Sequence, residues 1–363
     1  MRVSDLVSAM ESIAPTSLAA SWDNVGLLVG DPAAPLSRVV LTIDCTREVV
    51  AEAAAAGAGG AIVSYHPVLF EAQKRFVAGA PAFEAARAGL SVYCPHTALD
   101  VAEGGTNDVL ADVLGMRNRA PLRAADVPEQ ALKLVTFVPA GHVEAVSRAV
   151  FAAGGGRIGQ YTSCSFRSAG TGTFFGEPGS TPAVGEAGRL EEAAEVRLEI
   201  AVAAGSVGPI VRALRAAHPY EEPAFDLLRL APAPSSVGLG RVGVVDAAPA
   251  GVLVERVKHA LRLEHVLVAG SLDREVTRAA VCAGSGGDLI GDALAAGAQL
   301  LLTGEVRHHD ALRAVARGLV LVCTRHSTSE RGALGHLARH LSERLPGVTV
   351  ALTALDQDPL AFA

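Results

Sequence analysis

The chain has 363 residues, half of them apolar and 19% charged, and 31 basic against 38 acidic side chains leave a net charge of −7. At about 150 residues per domain this is two to three folded units, enough to bury a large core. The balance excludes a disordered chain and opposes a nucleic-acid binder, and no stretch approaches the roughly 18 apolar residues of a membrane span.

Met1 to Ile13 carries Asp5 and Glu11 with no basic patch before an apolar run, so it reads as an amphipathic helix and not as a signal peptide. Val39–Ile43, Ala61–Val63 and Leu90–Tyr93 are short, β-branched runs separated by alanine-rich helical stretches, a pattern of α/β layers around a largely parallel sheet. From Val127 to Pro234 the pattern changes. A strand (Leu132–Val138), a helix (Val143–Ala152), a Gly154-Gly155-Gly156 turn and a Gly-, Thr- and Pro-rich loop come first. A strand (Ala194–Ala201), a helix (Val207–Ala217) and a strand (Ala224–Leu230) follow, in the β-α-β-β-α-β order of a ferredoxin-like sandwich. Ala231 to Ser236 reads as a linker. The α/β pattern then returns, with strands near Ala279–Cys282, Gln299–Leu302 and Leu319–Val322. The expected fold is therefore α/β, with two pseudo-repeated halves (1–126 and 235–363) forming one metal-binding domain that a ferredoxin-like α+β insertion (127–234) interrupts.

Five cysteines without a CxxC exclude a thiolate zinc cluster or a disulfide framework and point to a reducing cytoplasm. Three glycine- or acid-rich segments carry structural readings: Cys282 to Asp288 as a tight turn, Gly170 to Gly176 as a hairpin, and His218 to Pro223 as a turn that starts a strand.

The halves correspond internally. Gly89 to Cys94 leads into Pro95-His96-Thr97-Ala98-Leu99-Asp100, and Gly318 to Cys323 leads into Thr324-Arg325-His326-Ser327-Thr328-Ser329-Glu330, so each places His-x3-acid beyond a strand. Loops past the carboxyl ends of parallel strands form the ligand crevice of such folds. His66, His96, Asp100, His308, His309, His326 and Glu330 all fall in those loops. Imidazole and carboxylate without thiolate suit Zn²⁺, Mn²⁺ or Fe²⁺, one or two ions per chain. Two dications meeting only Asp100 and Glu330 as anions would keep about two positive charges, a setting for hydroxide, carboxylate or a phosphate oxygen. His96, His308 and Glu305 are candidates for general acid or base work.

The ordered segments Ser21-Trp22-Asp23-Asn24-Val25-Gly26-Leu27-Leu28-Val29-Gly30, Ser64-Tyr65-His66-Pro67, His96-Thr97-Ala98-Leu99-Asp100, Thr303-Gly304-Glu305 and His326-Ser327-Thr328-Ser329-Glu330-Arg331-Gly332 resemble those of a known family. It is the dinuclear-metal toroidal proteins labelled GTP cyclohydrolase I type 2 homologues. The resemblance implies metal ligands at His66, Asp100, His326 and Glu330. Tyr65 stands where the family has the first histidine of His-His-Pro, a further ligand. One firm and one labile metal site are expected. The middle unit is similar to PII-like and CutA-like domains, His218-Pro219-Tyr220-Glu221 being similar to a CutA signature. Those domains form trimers, which implies a homohexamer of two stacked trimers. The family label implies a metal-dependent hydrolase of a nucleotide-like or other phosphate-bearing small molecule, with ring-opening of GTP as its named reaction. The alternative is a non-catalytic regulatory or metal-handling hexamer with PII-like sensing lids.

Overall fold

The short β-branched runs form strands and the alanine-rich stretches between them form helices, in a computed structural model that describes residues 1–125, 131–230 and 236–361. The expected linker, apart from Ser236, lies outside the described residues. The chain divides into two compact units, Met1–Asp126 with Ser235–Ala363, and Val127–Pro234.

The first unit begins with α1 (Val3–Ile13), β1 (Gly26–Val29), β2 (Arg38–Thr42), α2 (Arg47–Ala55) and β3 (Gly60–Ser64). It continues with α3 (Pro81–Arg87), β4 (Ser91–Cys94), α4 (His96–Val101), α5 (Thr106–Val113) and β5 (Arg117–Ala124). The second unit holds β6 (Ala131–Pro139), α6 (Val143–Ala152), β7 (Ser165–Phe175), β8 (Leu190–Ala203), α7 (Val207–Ala217) and β9 (Phe225–Arg229). The first unit then resumes with β10 (Gly238–Pro249), α8 (Ala250–Leu261), β11 (Leu267–Ala269), β12 (Glu275–Ser285), α9 (Ile290–Ala295) and β13 (Leu300–Glu305). It closes with α10 (His308–Ala316), β14 (Val320–Cys323), α11 (His326–Arg344) and β15 (Thr349–Leu352).

Two sheets build the first unit, ordered β1-β4-β3-β2-β15 and β11-β14-β13-β12-β10-β5. Their centres are parallel, and strands such as β4 and β14 are buried along their whole length, as expected where helices cover both faces. Their edges differ from the largely parallel expectation. β1, β5, β10 and β11 pair antiparallel with their neighbours. The sheets also do not divide at the insertion: β15 completes the first sheet beside β2, and β5 completes the second beside β10.

Helix α11 packs into the core of the first sheet. Ala333, Leu334, Leu337 and Leu341, spaced to lie on one helical face, join Leu6 and Met10 of α1 and the fully buried Tyr65 and Tyr93. Asn107 of α5 ties α4 to the second sheet. Its amide donates to the Asp100 carbonyl (2.9 Å) while its oxygen accepts from the Ala283 N–H of β12 (2.9 Å).

In the second unit one antiparallel sheet, β7-β8-β6-β9, carries α6 and α7. Gly170 to Gly176, read as a hairpin, is mostly strand: Gly170 to Phe175 pair with Glu195 to Leu190 in a long arm, and the reversal comes after Phe175. His218 is a buried structural residue, with Nε2 against the Phe137 carbonyl (3.1 Å) and Nδ1 accepting from the Tyr220 N–H (3.1 Å).

Candidate metal centre

Every side chain of the centre follows the carboxyl end of a parallel strand. Asp44 follows β2, Tyr65 and His66 follow β3, His96 and Asp100 follow β4, Glu305 ends β13, and His326 and Glu330 follow β14. His326 and Glu330 are four residues apart at the start of α11 and so share one helical face. Each helix starts through strained backbone: His96 itself has φ +27° and Arg325 has φ +79°, values unusual outside glycine.

His66, His326 and Glu330 each offer a ligand atom within 4.8 Å of the others. The Glu330 carboxylate lies between the two rings, Oε2 3.3 Å from His66 Nε2 and Oε1 3.2 Å from His326 Nε2. Behind the rings, His66 Nδ1 faces Asp44 Oδ1 at 2.8 Å and His326 Nδ1 faces Glu305 Oε1 at 3.0 Å. A carboxylate on Nδ1 fixes the N–H there and leaves the Nε2 lone pair directed at the centre, the arrangement that orients metal-binding histidines. Glu330 is buried, and beyond the 3.3 Å contact with His66 Nε2 its Oε2 has no hydrogen-bond partner. A buried carboxylate is costly unless a cation, imidazolium or metal ion, meets it.

Gly284 makes room for this. With φ +64°, a Cβ there would stand 2.9 Å from Glu330 Oε1 and 3.3 Å from His326 Nε2, inside the space a ligand needs.

The electrostatics favour positive charge in the centre. Burial works against a charge on His66, but Asp44 and Glu330 outweigh it and hold its pKa up at about 10. Glu330 likewise lifts His326 to about 9 against burial. Burial would raise the Glu330 pKa, yet the two imidazoles hold it below its usual value. Two nitrogens and one oxygen around an anionic hollow fit a single Zn²⁺, Mn²⁺ or Fe²⁺, with further positions left for water or substrate.

Asp100 stands apart from this trio. The Tyr65 hydroxyl donates a hydrogen bond to its Oδ1 and also meets Thr106 Oγ1 at 3.0 Å, with both Tyr65 and Asp100 buried. Burial, and then the charge of Glu330, raise the Asp100 pKa to about 6 in spite of the Tyr65 bond.

His96 is at the edge of the centre, its ring 5.4 Å from that of His66 and 6.0 Å from Trp22. Its Nδ1 is held at 2.8 Å by Asp23, whose other oxygen accepts from the Thr97 N–H at 3.1 Å. Glu305 is brought into the centre through His326. His308 and His309 are not: they are exposed at the start of α10 with their rings against each other. The expected convergence of seven side chains is thus narrower, because Val306 and Arg307 carry the chain past the centre before α10 begins.

Two contributors escaped sequence reading, Asp44 and Asp23. Asp44 sits just beyond the Val39–Ile43 run, the place from which every other site residue was picked; Asp23 lies in the Trp22-Asp23-Asn24 motif without a visible partner. Together with Glu305 they back His66, His96 and His326 with carboxylates, anions that the expected surplus of two positive charges left out.

The sequence profile of the Duf34/NIF3 (NGG1p interacting factor 3) family matches residues 1–359. A protein of Mycobacterium bovis named GTP cyclohydrolase 1 type 2 homolog is 36% identical over 358 residues, covering 95% of this chain and 94% of its own length. One of the same name from Halalkalibacterium halodurans is 34% identical over 365 residues, 98% of each chain. The crystal structure of a Bacillus cereus protein related to NIF3 superposes with a TM-score of 0.67 at 34% identity, covering 100% of this chain and 99% of its own. The chain belongs to the Duf34/NIF3 family.

Proposed function

We propose that this chain binds one divalent cation through His66, His326 and Glu330 and uses it for hydrolysis. The observation that carries the reading is the Glu330 carboxylate, buried between two imidazole Nε2 atoms with no other partner at its Oε2, while each Nδ1 is braced by a carboxylate. A bound dication supplies Lewis acidity, polarising a substrate oxygen and acidifying water. Asp44 and Glu305 hold the two rings in the tautomer that binds, and Glu330 offsets part of the charge. His96, steadied by Asp23, is placed to accept or return a proton at Nε2. Tyr65 supports a count of one cation, because its hydroxyl engages the Asp100 carboxylate that a second ion would need.

The name carried by the relatives supports hydrolysis of a nucleotide-like compound. Of such a molecule the base is the part this site suits, since phosphates would face the carboxylates behind His66 and His326. For assembly, the likeness of residues 127–234 to trimeric domains supports a homohexamer, to be read by light scattering. The test of function is elemental analysis of the purified protein followed by assay against GTP, guanosine and generic esters. About one equivalent of cation and turnover that a Glu330→Ala protein lacks are expected. Cation without turnover would favour the metal-handling reading, for which the Tyr65–Asp100 bond is the supporting observation.

A further inference from the structure

We propose that the cavity beside the metal centre holds an uncharged, apolar ring compound that reaches the cation through one Lewis-basic atom, and that it rejects polyphosphates. This rests on the metal reading above and adds the chemical class of the ligand.

The cavity measures about 500 Å³, within the range of roughly 300 to 1,000 Å³ typical of small-molecule sites. His66 and His326 belong to both the cavity and the metal centre, so a ligand lying in one touches the other. Its walls are apolar. Leu267 and Val268 come from edge strand β11, Val306 and Ala311 from the β13–α10 connection and α10, Leu321 from β14, and Leu360 from the C-terminal segment. That segment is anchored, because Ser327 Oγ (2.9 Å) and Thr328 Oγ1 (3.2 Å) donate to Asp358.

Charge decides what cannot enter. Asp44, Glu305 and Asp358 line the cavity against one cation, Arg325, which is 3.6 Å from Asp358 and donates to the Leu360 carbonyl. A dication and Arg325 together carry less charge than these three carboxylates and Glu330. Asp44 and Glu305 cannot swing away without releasing His66 and His326. A chain of phosphates would therefore meet a net negative field at the mouth of the centre. An uncharged ring meets apolar walls and a cation at one end.

Cobalt-loaded full-length protein at pH 8, titrated with imidazole, 4-phenylimidazole and inorganic pyrophosphate while the visible cobalt spectrum is recorded, tests this. Both imidazoles are uncharged at that pH, and they differ by one apolar ring. The expected result is that 4-phenylimidazole binds about tenfold more tightly than imidazole, as burial of a phenyl group predicts, and that pyrophosphate binds more weakly than either. Leu267→Asp and Leu360→Asp, both at exposed positions, are expected to lower 4-phenylimidazole affinity about tenfold with cobalt content at the wild-type level. Equal affinity for the two imidazoles, as when a second copy of the chain covers the cavity, overturns the proposal. So does tightest binding of pyrophosphate. A protein that takes up no cobalt overturns the metal reading and this proposal with it, and cobalt content alone tells that failure from the others.

Discussion

Helices α4 and α11 carry the same pattern, a histidine at the first helical position and an acid four residues later, each just beyond a parallel strand. Their acids end in opposite conditions. In α11, His326 and Glu330 turn toward His66 and leave ligand atoms open to a common point. In α4, the Asp100 carboxylate is taken by the Tyr65 hydroxyl, whereas His96 is braced at Nδ1 by Asp23 just as His326 is by Glu305. Equal spacing thus leaves the acid facing a common ligand point in one case and hydrogen-bonded to a hydroxyl in the other. The difference lies in what the neighbouring strand end supplies, a lone pair from His66 or a proton from Tyr65.

The contrast breaks most completely at Glu330. Glu330→Ala is expected to weaken cation affinity by more than about a hundredfold, read by competition with a chelator, because two histidines remain without an anion between them. Protons compete for the same place. His66 at about 10 and His326 at about 9 are both above the unperturbed histidine value near 6.5, so cation uptake at pH 7.5 should release about two protons, measurable by calorimetry in buffers of different ionisation enthalpy. The sign for the metal-free chain follows. Stability from these two raised values is complete below about pH 6.5 and is lost as pH rises through about 9 and 10, so metal-free protein should unfold more readily at pH 10 than at pH 7 while the loaded form resists.

Asp44→Asn should cost about ten- to a hundredfold in cation affinity, since it removes the anionic brace behind His66 without touching a ligand atom. An unchanged affinity would show that the ring is oriented by packing alone. The α4 side is sharpened by two changes at one position. Tyr65→His is expected to raise the cation count from about one to about two per chain by elemental analysis. Tyr65→Phe should leave the count at one and cost about 1–3 kcal/mol in urea unfolding, the penalty for stranding the buried Asp100 carboxyl.

Much of the centre was legible because the sequence marks strand ends. His66, His326 and Glu330 follow short apolar runs, and the parallel sheet brings such ends to one edge. What could not be read was each group's partner. Tyr65 was visible as a departure from the family pattern, yet nothing local shows its hydroxyl bonded to a carboxylate 35 residues on. The charge of the centre was undercounted for the same reason: Asp44 and Glu305 meet the histidines only in three dimensions. His308 and His309 show the converse, since two residues beyond a strand were enough to carry them away. Strand positions within units followed local β-branched runs, whereas the pairing of β15 with β2 and β5 with β10 depends on contacts that no window of sequence contains.

That last pairing has a practical meaning. Each sheet of the first unit is finished by a strand contributed from the opposite side of residues 127–234, so neither 1–126 nor 235–363 possesses a complete sheet. Cleaving the chain within the middle unit would yield two interlocked pieces that stay together and denature as one. Produced separately, the same pieces would be fragments in search of each other, and only their recombination would bring His66 back beside His326 and Glu330.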